Sequence, residues 1–206
     1  GVWTNGTKSY LMDGNGYEYT QLIEKGLMCA VFMNQMTNNY LQAVGSDDNT
    51  TVIPGENYTV MQHHWDEAYG YFTSEVDFPT NGTNRFWGKY ADGREVVLSS
   101  ATKIATAFRT GRAAIDNSDY TTRDAQITII LTEMEKVCAG TAIHYLNDAK
   151  GNITDGTLKN HQLSEAMAFV NGLKYSQKTI DGTGISNADI NTALAYFSNY
   201  ETVSIA

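Results

Sequence analysis

The stretch EYTQLIEKGLMCAVFMNQMTNNYLQAV, residues 18–44, decides the fold class of this chain. Its apolar residues recur at intervals of three and four, the spacing that places side chains on one face of an α-helix. The members of that face are Leu22, Ile23, Leu27, Cys29, Ala30, Met33, Met36, Tyr40 and Leu41. Gly45 and the polar residues that follow it end the pattern. We therefore expect a long amphipathic helix from Glu18 to Val44.

The same periodicity predicts further helices along the chain. They cover about residues 58–72, 95–116, 120–149 and 157–175, and a last helix begins at Ser186. The segment from Thr73 to Gly93 contains the turn signal Asn81-Gly82 and is predicted to be a long irregular loop. The aromatic residues expected to pin that loop are Phe78, Phe86, Trp87 and Tyr90. Because strict alternation of apolar and polar residues is missing, we predict an all-α helical bundle forming a single domain over residues 1–206.

Two pairs of segments indicate an internal repeat. LIEKGLMCA (22–30) aligns with LTEMEKVCA (131–139), and HHWDEAYGY (63–71) aligns with HQLSEAMAF (161–169). The offsets are 109 and 98, so the first copy carries eleven additional residues, which fall in the loop 45–57. Loops absorb such insertions at little cost. The sequence thus predicts two related helix-pair repeats, about 18–116 and 120–199, around a pseudo-twofold.

Each copy places a histidine four residues before a glutamate. His63 and Glu67 form the first pair and His161 and Glu165 the second, while His64 precedes Glu67 by three residues. These spacings put both side chains on one helical turn. Imidazole and carboxylate groups so placed can share a divalent metal in a bundle core, with iron or zinc as candidates. The alternative is a hydrogen-bonded polar knot without metal or catalytic role, and the residues alone leave both open.

Composition excludes several classes of function. The net charge of −9, with only 14 scattered Lys and Arg residues, argues against a nucleic-acid partner. No apolar run reaches the roughly 18 residues that a membrane-spanning helix requires. The zinc-protease helix motif, the serine nucleophile elbow and the phosphate-binding loop are missing from the sequence.

The two cysteines and a pair of arginines have structural interpretations. Cys29 and Cys138 fall in helical patterns and are predicted to be small buried residues, although one bridge between them stays open. Arg109 and Arg112 share a helix face, where they either pair with Asp66 or Glu67 or lie in solvent.

Several segments resemble a bacterial family of unknown function known mainly from secreted lipoproteins of Bacteroidetes. The match runs in order from about Tyr10 to about residue 200. The segments that carry it are KGLMCA (25–30), HHWDEAYGYF (63–72), VDFPTN (76–81), FWGKY (86–90), GRAAI (111–115), EKVCAGTAIHYLN (135–147) and NHQLSEAMAFVNGLKY (160–175). The resemblance implies an exported protein, periplasmic or attached to the outer membrane, whose lipidated leader is not part of this chain. An envelope protein is the kind of partner it implies.

A looser similarity links the chain to the imelysins, helical proteins built as two related bundles. Some imelysins are described as peptidases and others as iron-associated, and their mark is Gly-x-His-x-x-Glu. Here His64 and Glu67 match that mark, but Gln62 replaces the glycine. The imelysin mark points to His64 and the internal repeat points to His63, so the two arguments agree only on Glu67.

These observations together predict an exported, non-enzymatic binding protein that handles metal ions such as iron. One alternative is an imelysin-type metal-dependent peptidase, which requires a metal with an open coordination position. The other is a surface or partner-binding module with no metal, in which an apolar patch is exposed on the loop 73–93. The oligomeric state is left open by the sequence.

Overall fold

The computed structural model describes residues 1–80, 84–198 and 200, and most of these residues are helical. This confirms the predicted all-α helical bundle. The helices are α1 (Tyr19–Leu27), α2 (Leu41–Ala43), α3 (Val60–Phe72), α4 (Phe86–Gly93), α5 (Glu95–Leu98), α6 (Ser100–Asp116), α7 (Tyr120–Gly151), α8 (Gly156–Gly172), α9 (Gln177–Ile180) and α10 (Asn187–Ala195). Across this described part of the chain, no helix has the length and hydropathy needed to cross a bilayer.

The chain divides into two compact units. The terminal unit comprises Gly1–Ala30, Cys138–Tyr175 and Thr179–Ala206, and the central unit comprises Val31–Val137 with Ser176–Lys178. Helix α7 contributes its first part to the central unit and its last part to the terminal unit. The two sequence repeats and the single-domain organisation stay predictions.

The first long helix contains two π-helical segments. Between α1 and α2 these segments span Met28–Met33 and Gln35–Tyr40, so the chain is helical over the length that the sequence predicts. The most deeply buried residues here include a series at intervals of four: Cys29, Met33, Thr37 and Leu41. In an α-helix such a series drifts by about 40° at each step, because one turn takes 3.6 residues. The wider π turns take more than four residues, so within them the same spacing drifts in the opposite direction and offsets the drift of the α-helical turns.

In the central unit, α3 packs against the second π-helical segment and against α6. Helix α3 begins with a capping box. The side chains of Thr59 and Gln62 each accept a hydrogen bond from the backbone amide of the other residue. Trp65 is fully buried, and its indole nitrogen donates to the Phe108 carbonyl at 2.9 Å. Gly111 allows α6 to approach this indole, since a Cβ at that position would lie 2.1 Å from the ring.

The prediction of a loop from Thr73 to Gly93 is wrong over its second part. Residues Phe86–Gly93 form α4, which buries Trp87, Gly88 and Ala91. Phe78 is also buried, as predicted, but Phe86 is 53% exposed and does not pin the segment to the core. The predicted turn at Asn81-Gly82 lies outside the described residues.

The predicted helix 95–116 is divided at Ser99, whose left-handed backbone (φ 54°) separates α5 from α6.

The terminal unit begins with a hairpin that apolar alternation did not predict. Strand β1 (Val2–Asn5) pairs antiparallel with β2 (Lys8–Leu11), and Tyr10 is the buried residue of β2. Asn5 pairs with Lys8, so the turn consists of Gly6 and Thr7, and Gly6 has the positive φ of 57° that the first position of such a turn requires. In the same unit α1 packs against α8, and α8 packs against α10. The predicted start of α10 is confirmed, because the Ser186 hydroxyl caps the Asp189 amide.

Both cysteines are buried, as predicted, and both are free thiols. Cys138 donates its thiol to the Phe169 carbonyl at 3.3 Å. Cys29 lies against Gly172 at the end of α8, where a Cβ would stand 2.3 Å from the Cys29 sulfur. This contact requires a residue without a side chain at position 172.

We predict that Gly172→Ala destabilises the protein by about 1–3 kcal/mol, because the added methyl group overpacks the site beside Cys29. The matched control is Gly26→Ala in α1, where a Cβ meets nothing within 4 Å. That change should stabilise the protein by about 0.5–1 kcal/mol through helix propensity. Urea unfolding of both variants provides the measurement, and equal stability of the two would contradict the close contact.

Candidate functional site

The imelysin-like histidine is held by an acid from the loop before α3. His64 Nδ1 lies 2.7 Å from Asp47 Oδ2, and its ring packs against Tyr40 with a centroid distance of 5.5 Å. Gln62 occupies the position of the glycine in the imelysin motif. Its side-chain oxygen accepts a hydrogen bond from the Thr59 backbone amide at 2.8 Å. In this chain that position therefore serves the helix cap, which a glycine would not supply.

His63 and Glu67 lie side by side on α3, as their spacing predicts. His63 Nε2 is 3.6 Å from Glu67 Oε2, and both side chains are partly exposed. Tyr58 stacks on the other side of the His63 ring, with a centroid distance of 5.0 Å and an interplanar angle of 14°. The two adjacent histidines thus use different acids, Asp47 for His64 and Glu67 for His63.

The nearby arginines have separate partners. Arg112 pairs with Asp66, with 3.0 Å between Nε and Oδ1, so the predicted pairing with this acid is confirmed. Arg109 instead donates to the Phe78 carbonyl. The ion-pair partner of Glu67 is instead His63, and aromatic residues lie nearby.

Glu67 lines a cavity of about 360 Å³ in the central unit. The cavity is walled mainly by aromatic rings, and its lining residues are Phe32, Glu67, Gly70, Tyr71, Phe72, Thr73, Ser74 and Phe86. Phe32 meets Tyr71 at 66° and Phe86 at 83°, with centroid distances of 5.8 and 4.9 Å. These are edge-to-face contacts, the usual packing geometry of aromatic pairs. A concave, largely apolar cavity with one polar group is the usual form of a ligand site.

Tyr40 holds the acid in place within this cavity wall. Its hydroxyl shares hydrogen bonds with Glu67 and Tyr71, and its ring stacks on Tyr71 at 5.6 Å. Burial raises the pKa of Tyr40, and the neighbouring Glu67 charge raises it further. The phenol consequently stays protonated and donates a hydrogen bond to the carboxylate.

Two unusual backbone features border the cavity. Phe32 and Tyr40 lie on the two π-helical segments, a geometry that often marks functional sites. Phe86 has a left-handed backbone with φ 48°, which is rare for a bulky residue and costs free energy. That strained residue presents a half-exposed ring to the cavity.

The second predicted pair lies in the terminal unit and is closed by further charges. His161 Nε2 is 3.4 Å from Glu165 Oε2, and His161 Nδ1 is 2.6 Å from Glu18 Oε2. Lys25 Nζ lies 3.8 Å from Glu165 Oε1, and both glutamates are buried. Lys25 also pairs with Glu24, with 3.1 Å between Nζ and Oε2. Both imidazole nitrogens are engaged, which is the arrangement of a buried polar knot.

The five predicted metal ligands are thus divided between the units, with His63, His64 and Glu67 in the central unit and His161 and Glu165 in the terminal unit. Within residues 1–80, 84–198 and 200, no group of three or more His, Cys, Asp or Glu side chains is placed to hold a metal ion. Their role as metal ligands stays a prediction.

A second cavity, of about 440 Å³, lies in the terminal unit among α7, α8 and α10. Its walls are apolar, and its polar residues already bond within α10 and its cap. Asp189 accepts from the Ser186 hydroxyl at 2.6 Å, and Thr192 donates to the Ala188 carbonyl at 2.9 Å. These groups are committed to the helix, so the cavity at Glu67 is the stronger candidate site.

The sequence pointed to Glu67 but not to the rings around it. Tyr71 follows Glu67 by four residues, and Phe32 and Tyr40 are eight residues apart on one helix, so each spacing carried a signal. The sequence carried no such signal for Phe86, because the position of its ring at the cavity depends on the fold of α4.

We predict that the stability difference between the native chain and Glu165→Gln depends on pH. Burial raises the pKa of Glu165 above its ordinary value of 4.5, against the opposing effects of His161 and Lys25. A raised acid pKa gives stability that is complete below the ordinary value and is lost as the pH rises through the folded-state value. The native chain should therefore lose stability relative to Glu165→Gln as the pH rises from about 4.5 through the raised folded-state pKa of Glu165.

Urea unfolding across that pH range measures the difference. The control is Asp92→Asn, which removes an exposed acid of the central unit, and its difference from the native chain should stay flat. A native chain that gains stability over Glu165→Gln as the pH rises would contradict the prediction.

Comparison with known proteins places the chain in a family. No curated protein and no solved structure gives a match. The family described as domain of unknown function DUF4856 matches residues 1–201, which is nearly the whole sequence. The chain therefore belongs to the DUF4856 family.

Proposed function

We propose that this protein is an exported, non-enzymatic binding protein whose ligand site is the cavity at Glu67. The observation that carries the proposal is the cavity itself: about 360 Å³, aromatic walls and a partly exposed carboxylate. Cavities of about 300–1,000 Å³ with few polar groups are typical of small-molecule sites. Export rests on the resemblance of the sequence segments to secreted lipoproteins.

The lining supports binding over catalysis. Glu67 is the one acid among the described lining residues, and the others are aromatic, glycine and hydroxyl residues. Acid–base and nucleophilic mechanisms generally need two or more groups directed at one reacting atom. The hydrogen bond from Tyr40 fixes the carboxylate, which favours a stable recognition group.

A mixed set of neutral, cationic and anionic small molecules, screened by NMR, tests the proposal. We expect bound compounds to shift the signals of Tyr71, Thr73 and Ser74. Phe32→Ala should weaken binding about tenfold, the loss of about 1.4 kcal/mol of ring contact. The control Val31→Ala removes a 43% exposed neighbour on the same helix and should leave the affinity unchanged.

If no compound shifts the cavity signals, or if Phe32→Ala and Val31→Ala bind equally, the cavity is not the ligand site.

Export has its own test. Fractionation of cells that express the full-length gene should place the protein in the envelope, and recovery in the cytoplasm would refute that part of the proposal.

Metal binding is the second candidate function, favoured by the 3.6 Å approach of His63 to Glu67 and the partial exposure of both. Imidazole and carboxylate ligands suit iron and zinc. This candidate predicts near-stoichiometric iron or zinc in protein purified without tag or chelator, and its loss from a His63→Ala, Glu67→Ala variant. Elemental mass spectrometry measures both. Metal-free protein after incubation with both ions would refute it, whereas small-molecule binding should survive chelator treatment.

A further inference from the structure

We infer that the ligand of the Glu67 cavity is an organic ammonium ion with alkyl substituents, held against the rings of Phe32, Tyr71 and Phe86. The inference rests on the proposed function and names the chemical class that the cavity takes. It follows from four properties of the site: ring geometry, charge, the fixing of the acid and the exposed rim.

The ring geometry suits a cation. An aromatic face is negative and its edge is positive, so a cation is attracted within about 6 Å of a ring centroid. Phe32 and Phe86 meet at 83°, and Phe32 and Tyr71 meet at 66°. The planes of these three rings therefore differ in direction, and all three residues line the cavity. Surrounding aromatic walls are the arrangement that recognises quaternary ammonium groups.

The charge of the cavity has one sign. Glu67 is the only charged residue among the lining residues that the structure describes. The acid is negative when ionised, and the whole chain carries a net charge of −9. A negative cavity in an acidic protein concentrates cations and disfavours anions. An inorganic cation would use the carboxylate but would gain little from the aromatic walls, which favour alkyl groups.

Tyr40 keeps Glu67 available as an acceptor. The protonated phenol donates its one proton to the carboxylate, and its ring stacks on Tyr71, so Tyr40 links the acid to one ring of the cavity. Tyr40 is therefore a positioning residue.

The rim residue Phe86 adds a second, independent indication. Its ring is 53% exposed, and its backbone has the left-handed φ of 48°. Both features cost free energy in a free molecule. Because Phe86 packs on Phe32 at the cavity, the half-exposed ring is placed where it would be covered by a ligand.

The experiment compares choline with 3,3-dimethylbutan-1-ol, its neutral isostere, by titration calorimetry and NMR on the intact chain. The two probes have the same shape, but the isostere has carbon in place of the charged nitrogen. We expect choline to bind at least about tenfold more tightly, which corresponds to about 1.4 kcal/mol.

Three variants assign that preference to the cavity. Glu67→Gln should weaken choline binding at least about tenfold, whereas Glu56→Gln, an exposed acid of the same unit, should change it less than about twofold. Both remove one charge, so the pair separates a local carboxylate from the net charge of the protein. Phe86→Ala should also weaken choline binding, and its half-exposed ring can be removed with little risk to folding.

Equal affinity for choline and its isostere would overturn the inference and leave the proposed ligand site intact. Equal effects of Glu67→Gln and Glu56→Gln would overturn it as well, and so would no binding of choline. The proposed ligand site itself fails if the mixed compound set leaves the cavity signals unchanged or if Phe32→Ala and Val31→Ala bind equally. The two failures are therefore distinguishable.

Discussion

The burial of side chains at intervals of four along the first long helix is the constraint on which the candidate site depends. Cys29 is buried in the terminal unit and Met33, Thr37 and Leu41 are buried in the central unit, whereas a regular α-helix would turn such a series gradually toward solvent. The π-helical turns correct the drift. Phe32 and Tyr40 are eight residues apart, which is two such intervals, and both contact Tyr71 of α3 near Glu67.

The two histidine–glutamate pairs show how the surroundings decide what one local pattern does. Both pairs have the same spacing, and their nitrogen–oxygen distances are 3.6 and 3.4 Å. His161 and Glu165 are enclosed with Glu18 and Lys25, which lie within ion-pair distance of them. Glu67 instead stays partly exposed and opens onto aromatic rings, which offer a cation several faces and no competing positive charge among the described lining residues. The first arrangement stabilises a core, and the second is suited to recognition.

Sequence periodicity predicted the helices because apolar spacing records which side of a helix is buried. It also placed His63 beside Glu67, since one helical turn fixes that distance. The hairpin was missed because its strands bury little, and α4 was missed because glycines surround a short helix. The π turns could not be predicted from spacing alone, as a series at intervals of four also fits an ordinary amphipathic helix. Phe86 required the tertiary fold, because its position depends on a strained backbone and on packing against Phe32.

A crystal structure with arsenocholine tests the central claim most directly, because arsenic in place of nitrogen gives an anomalous signal that locates the cationic centre. The account predicts one strong peak between the rings of Phe32, Tyr71 and Phe86, within about 6 Å of their centroids, and beside the Glu67 carboxylate. A peak elsewhere on the molecule, or no peak in crystals soaked at saturating concentration, would contradict the assignment of this cavity as a site for organic cations.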